Sequence, residues 1–199
     1  ELGDALKLNF EQLFDPDGDT CLNKVVANLP YASGTRMLVE MFKSTHRPVC
    51  IVVTLQKEVG QRICASPSTS SYGLLSVWAQ QAFTTRMEHN IKPGCFWPAP
   101  DVSSAIVGLE RHEKFALEKS AASVFYDLTK RAFSQRRKQL SVILKRYPGW
   151  GDRNIADLGV FLDEIGHSPK SRPEELSPED WVRLSRFVSR FLDSGPVKV

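Results

Sequence analysis

The sequence predicts an α/β portion over residues 1–112 and a small all-α portion over residues 113–199. Three observations carry this. The runs Lys24 to Ala27 and Val49 to Leu55 are nearly continuously apolar, and between them Met37, Leu38, Met41 and Phe42 recur at helical spacing. This is a strand–helix–strand unit, and such runs predict strands buried on both faces of a parallel sheet. From Thr84 to Lys92 the pattern alternates, with Thr85, Met87, His89 and Ile91 on one face, which predicts a half-buried strand. After about Glu113 the apolar period is helical only.

The other elements follow in order. Glu58 to Ala65 and Ser71 to Phe83 read as helices, separated by the turn-rich Ser66-Pro67-Ser68-Thr69-Ser70. Ser103 to Leu109 is a strand, joined to the alternating one by a Pro-rich loop, which suggests an antiparallel pair closing one edge of the sheet. His89 reads as an inward or edge strand residue rather than a ligand. Val124, Phe125, Leu128 and Ala132 mark a helical stripe that Phe133, Leu140 and Leu144 continue with a small phase shift. Ile155, Leu158, Leu162 and Ile165 mark another helix, with Gly166 as its stop. Ser177-Pro178-Glu179-Asp180 is a helix start: a capping Ser, Pro in the first turn, and acids near the positive end of the dipole. Trp181, Leu184, Val188 and Phe191 give that helix its buried face, and Ser194 to Val199 reads as a frayed tail.

At 199 residues the chain has ample length for a core, and 42% apolar with 25% charged residues is ordinary for a soluble protein. No window has the apolar length of a membrane span, and no secretory signal is visible. Cysteines stand at 21, 50, 64 and 95, with no Cys-x-x-Cys pair and no histidine cluster, so neither zinc nor a disulfide framework is supported. Cys50 and Cys64 read as small core residues in a reducing compartment. Net charge is only +3, but its distribution is uneven. Between Asp127 and Asp152 there is no acid, while Lys130, Arg131, Arg136, Arg137, Lys138, Lys145 and Arg146 supply cations. The run is either a solvated helix face or a phosphate-contacting surface.

The most informative tetrapeptide is Asn28-Leu29-Pro30-Tyr31, at the end of the first apolar run. An Asn amide oxygen and a neighbouring backbone carbonyl can each accept one N–H of an amino group on an aromatic ring, and a Tyr ring can lie flat on that base. The plain alternative is a strand-ending turn with Tyr packed on the next helix.

Further phrases follow in order: Leu55-Gln56-Lys57-Glu58-Val59, Tyr72-Gly73-Leu74-Leu75-Ser76-Val77, Phe96-Trp97-Pro98-Ala99-Pro100-Asp101-Val102-Ser103-Ser104-Ala105, Ala132-Phe133-Ser134-Gln135-Arg136-Arg137-Lys138 and Arg172-Pro173-Glu174-Glu175-Leu176-Ser177. In this order they resemble the small-subunit ribosomal RNA adenine N6,N6-dimethyltransferases of the KsgA type. The resemblance runs from Gly3-Asp4-Ala5-Leu6 to Leu192. It implies the C-terminal part of a Rossmann-like, S-adenosylmethionine-dependent methyltransferase domain, followed by a small helical RNA-binding domain. No Gly-x-Gly-x-Gly follows a strand, Gly149-Trp150-Gly151 being a turn, and the first residue is Glu1. The expectation is a fragment that lacks the family's Gly-rich cofactor cradle and is inactive alone.

By resemblance, Asn28, Leu29, Pro30 and Tyr31 are catalytic, Tyr31 and Phe96 stack on the target base, and Asp4 and Asn28 contact the cofactor. Trp97 is an alternative stacking partner, and a loop anchor is the plain reading of Phe96. The plain reading of Asp4 is a surface acid or helix cap. Gln56, Lys57 and Glu58 shape the edge of the site or pair with each other, and Cys95 is a bystander. Lys130, Arg131, Gln135, Arg136, Arg137, Lys138, Lys145 and Arg146 are the expected RNA contacts, on a basic helix. Asp101 stands where many relatives carry Lys, which weakens a phosphate role for the Pro-rich loop. The implied partner is small-subunit rRNA in a pre-ribosomal subunit. The expected state is a cytoplasmic monomer with no metal and no membrane attachment. The alternatives are a large-subunit rRNA adenine methyltransferase, or a ribosome-assembly or transcription factor that kept the fold without the chemistry.

Overall fold

Strands β1 (Lys24–Asn28) and β2 (Cys50–Gln56) pair in parallel, with the helix Gly34–Lys43 between them in the chain. In the computed structural model, which describes residues 4–18, 22–150 and 155–193, they join β3 (Phe83–Ile91) and β4 (Ser104–Arg111) in one sheet of order β1-β2-β4-β3. β4 runs antiparallel to both β2 and β3. The eight α-helices of the described residues are α1 (Phe10–Leu13), α2 (Gly34–Lys43), α3 (Lys57–Ile63), α4 (Leu74–Ala82), α5 (Lys119–Ser134), α6 (Leu140–Lys145), α7 (Ile155–Glu164) and α8 (Pro178–Asp193). None of these is long and apolar enough to cross a membrane. The chain divides into two units, residues 1–65 with 78–114, and residues 66–77 with 115–199.

The first unit holds the sheet. α2 buries Met37, Leu38, Met41 and Phe42, the residues whose spacing marked it as a helix. Phe42 meets Phe83 with ring centroids 5.7 Å apart. α3 lies against β2, β3 and β4, and Gly60 permits the approach: a Cβ there would stand 3.0 Å from Met87 Sδ and Val107 Cγ2. The expectation of strands buried on both faces is corrected. β2 alternates, with Ile51, Val53 and Leu55 buried and Cys50, Val52 and Thr54 only partly covered. β1 lies at a sheet edge, and Val26 is 84% exposed. An apolar run fixes strand propensity but not the number of layers over it. Cys50 and Cys64 are half-buried rather than core, Cys95 is exposed, and Cys21 lies outside the described residues. The alternation of β3 breaks at a bulge between Met87 and His89, which leaves His89 exposed on an edge strand.

The second unit is built on α5 against α8. Phe125, Leu128, Ala132, Trp181, Leu184 and Val188 are buried. Residues 66–77 belong with these helices through Tyr72, whose ring lies 6.2 Å from Phe133 and whose hydroxyl donates to the Leu176 carbonyl at 2.7 Å. Burial pushes the Tyr72 phenol well above its ordinary pKa. α7 ends as its sequence indicates: Gly166 has φ +78°, and the N–H groups of Gly166 and His167 donate to Asp163 and Leu162 carbonyls at 3.1 and 2.8 Å. Gly149 also has positive φ, in the turn expected there, while Gly151 and the tail from Ser194 to Val199 lie outside the described residues.

The basic helix is corrected. α5 stops at Ser134, whose hydroxyl donates back to the Arg131 carbonyl, and Gln135 leaves helical geometry at φ −124°, ψ 35°. Gln135, Arg136, Arg137 and Lys138 form a turn, and α6 starts afresh because carbonyls of Ser171 and Pro169 accept from the N–H groups of Leu140 and Ser141. The phase shift between Phe133 and Leu140 is the trace of this break.

At the start of α8, Asp180 accepts from the Ser177 N–H at 3.0 Å and donates its own N–H to the Ser177 hydroxyl at 3.1 Å. The same carboxylate oxygen meets His167 Nε2 at 3.1 Å. Asp180→Ala removes this reciprocal cap and should lower stability by about 1–2 kcal/mol. Chemical denaturation of the variant beside the wild type measures it.

Candidate active site

The last bond of the β1–β2 ladder runs from the Leu29 N–H to the Thr54 carbonyl, at 2.9 Å. Pro30 follows, and having no N–H it cannot extend the ladder. Its carbonyl accepts from Ser33 and Gly34 N–H groups at 3.2 and 2.7 Å, so Asn28-Leu29-Pro30-Tyr31 is both the strand end and the turn that starts α2. The Leu29 side chain is buried and anchors the turn, while Asn28, Pro30 and Tyr31 are exposed. Gly34 is required here by contact. A Cβ on it would lie 2.7 Å from Leu29 Cβ.

These four residues form one side of a cleft of about 260 Å³. Phe96, Trp97, Pro98 and Pro100 of the Pro-rich loop form the other. Phe96 is half-buried and Trp97 is 98% exposed, so both rings remain available to a ligand in the cleft. The loop is tied down at its end, where the Lys57 N–H donates to the Ser103 carbonyl at 2.9 Å and Ser104 pairs with Gln56 across β2 and β4. The Tyr31 hydroxyl lies 2.5 Å from the Ser104 hydroxyl, and Ser104 is fully buried. Sequence reasoning assigned no role to Ser104 or Gly34. Nothing in the local pattern marks either, since both act through residues distant in the chain or across a turn.

The structure also places the remaining candidates. Asp4 is exposed and caps the 3-10 turn Ala5–Lys7, its Oδ1 accepting from the Leu6 N–H at 3.0 Å. Glu58 pairs with Arg62 rather than with Lys57. Asp101 and Cys95 are exposed. In Cys64, burial pushes the thiol up against the opposing effect of a bond from Thr85, the reverse of what a nucleophile needs. Among the described residues no group of three or more His, Cys, Asp or Glu could hold a metal.

The basic residues do not act alike. Arg136 is half-buried, pairs with Glu174 and donates to the carbonyls of Ser70 and Thr69 at 3.3 Å each. Arg131 pairs with Asp127 at 2.7 Å on the surface of α5. Lys130, Arg137, Lys138, Lys145 and Arg146 are exposed, and Gln135 is half-buried.

The ribosomal RNA adenine dimethylase family model matches residues 2–167. The chain belongs to this family. It is 36% identical over 195 residues to the ribosomal RNA small subunit methyltransferase A of Chlamydia muridarum, covering 96% of this chain and 67% of that protein. With the enzyme of the same description from Clostridium perfringens the identity is 31% over 196 residues, covering 96% and 65%. The chain thus spans about two thirds of the length of these curated relatives. Among solved structures, a dimethyladenosine transferase from Plasmodium falciparum superimposes with TM-score 0.75 at 22% identity, over 96% of this chain and 72% of that one. The 23S rRNA methyltransferase ErmE gives TM-score 0.59 at 21% identity, over 85% and 65%. The fold is therefore the Rossmann-like methyltransferase fold of this family.

Gly34→Ala separates helix propensity from site packing. Alanine favours a helix interior by about 1 kcal/mol over glycine, and gains less at a first helical position such as Gly34. The contact with Leu29 should reverse the sign and lower stability by about 1–3 kcal/mol, as overpacking does. A thermal melt of the variant decides it.

Proposed function

We propose that the full natural protein transfers methyl groups to the exocyclic N6 of adenosines in small-subunit ribosomal RNA, with S-adenosylmethionine as donor. The observation that carries this reading is the cleft, where Asn28-Leu29-Pro30-Tyr31 faces the rings of Phe96 and Trp97. The description of the Chlamydia and Clostridium relatives as small-subunit enzymes favours that substrate over large-subunit RNA.

The lone pair of adenine N6 is delocalised into the ring, and catalysis requires that it be turned out of the ring plane. The Asn28 side-chain oxygen and the Leu29 carbonyl accept the two N6 protons and hold the nitrogen in a near-attack pose. The Pro30 carbonyl is committed to the turn, and burial of the Leu29 side chain keeps the preceding carbonyl in place. Tyr31 and Phe96 stack on the two faces of the extruded base, each contact contributing about 1–3 kcal/mol. Among the described residues that line the cleft there is no carboxylate, histidine or lysine.

The acceptors that would contact the cofactor are Asp4 and Asn28. Asp4 keeps carboxylate acceptor capacity beyond its bond to Leu6, enough to take an adenine amino group, and Asn28 is exposed at the strand end. S-adenosylmethionine, when bound, supplies an electrophilic methyl group and a neutral leaving group.

RNA backbone contacts fall to the exposed cations Lys130, Arg137, Lys138, Lys145 and Arg146, with Gln135 and the paired Arg131 as weaker contributors. Arg136 serves the fold of its own unit instead. Phosphate contacts of this kind position the substrate and carry no sequence information.

Asn28→Ala should cut turnover by about 100-fold while RNA affinity stays within a factor of about two, because the side chain orients N6 and holds little of the RNA. Single-turnover methylation beside a binding titration reads both, and a variant retaining a tenth of the wild-type rate removes Asn28 from this role. Replacing Arg137 and Lys138 with Gln should weaken RNA binding and flatten log affinity against log salt by about 0.7–0.9 per lost contact. Equal slopes and equal affinities would mean that the turn is only a solvated surface.

A further inference from the structure

The Tyr31–Ser104 contact joins residues 73 positions apart, and neither the family reading nor the cleft chemistry above uses it. Ser104 is fully buried at the start of β4, with its backbone paired to Gln56 on one side and Ile91 on the other. Its hydroxyl is therefore held by the sheet rather than by the Pro-rich loop. Tyr31 stands in the turn before α2 and is 38% exposed. A tyrosine so placed is free to change rotamer unless its far end is fastened. The hydroxyl pair, at 2.5 Å, fastens that end and leaves the ring at the wall of the cleft.

We propose that Ser104 is a positioning residue: its hydroxyl holds the Tyr31 ring in the pose that stacks on the target adenine. The proposal rests on the adenine-methylating reading of the cleft. The advantage is preorganisation. A ring already ordered in the free protein loses no rotational freedom when the base arrives. β4 carries Ser104, and the Pro-rich loop that runs into it bears Phe96, which lines the same cleft as Tyr31.

The test removes the bond from either end. Ser104→Ala and Tyr31→Phe, made in the full natural protein, should each lower kcat by about 3- to 10-fold with KM for RNA unchanged, the size expected for one hydrogen bond. The double variant should be no worse than either single one. With 2-aminopurine in place of the target adenine, emission from the bound RNA should rise in both variants, because stacking on Tyr31 quenches it. In the protein without RNA, NMR of ring-labelled tyrosine should show the Tyr31 ring ordered in the wild type and rotamer-averaged in Ser104→Ala. Loss of one resonance in Tyr31→Phe assigns the signal.

Several results overturn the proposal. Additive losses in the double variant would do so, as would wild-type kinetics and emission in both single variants. A loss in Ser104→Ala with a silent Tyr31→Phe would make Ser104 a packing residue of the strand. An unchanged ring spectrum would show that Ser104 does not restrain Tyr31. A wild-type protein that methylates no adenosine would remove the function of the cleft, while the ring spectrum separately decides whether the restraint exists.

Discussion

Thr54 is paired with Asn28 on one side and with Ile106 on the other, and every residue of the cleft takes its place from that register. The parallel ladder with β1 ends at the Leu29 N–H, where proline stops it and the chain turns toward α2. The antiparallel ladder with β4 continues two residues further, to Gln56 and Ser104, and so brings the end of the Pro-rich loop back to the strand end that bears Tyr31. A slip of one residue in β2 would send every side chain to the opposite face. It would part Tyr31 from Ser104. The alternation of Ile51, Val53 and Leu55 into the core resists that slip, since the slip would expose all three.

Within the cleft, burial and exposure are divided between neighbours. Leu29 is buried and holds the backbone, while Asn28 and Tyr31 on either side of it are open to a ligand. The same division appears in the turn after α5. Arg136 is consumed by Glu174 and two carbonyls, and the adjacent Arg137 and Lys138 remain exposed. A charge held by a carboxylate and two carbonyls contributes to its own unit's fold and little to a distant phosphate. Adjacent residues of one chemical type therefore have different duties.

The helical unit is packed through aromatic contacts and closed by local caps. Tyr72 and Trp181 each meet Phe133, and Trp150 meets Phe187 and Phe191, with Tyr72, Trp150 and Trp181 buried. Helix ends are satisfied locally, at Gly166 and in the Ser177–Asp180 cap, or by borrowed carbonyls, as at Leu140. The borrowed carbonyls explain how a helix can restart after the five polar residues from Gln135 to Gln139.

Local information determined much of this protein. The strands, the α2 stripe, the Gly166 stop and the Ser177 cap were legible because each follows from a period or a residue type within one turn of chain. The family was legible from ordered phrases, and with it the candidate site at Asn28, Leu29, Pro30, Tyr31 and Phe96. Burial was not legible: the apolar runs of β1 and β2 predicted two covered faces, and how many layers cover a strand depends on elements elsewhere in the chain. The break after Ser134 showed only as a phase shift, because the carbonyls that start α6 come from Pro169 and Ser171. Only the tertiary structure decided that Arg136 is consumed by Glu174, that Gly34 makes room for Leu29, and that the Tyr31 ring is fastened to Ser104. Each is a contact between residues that folding alone brings together, and no periodicity in the sequence encodes such a distance.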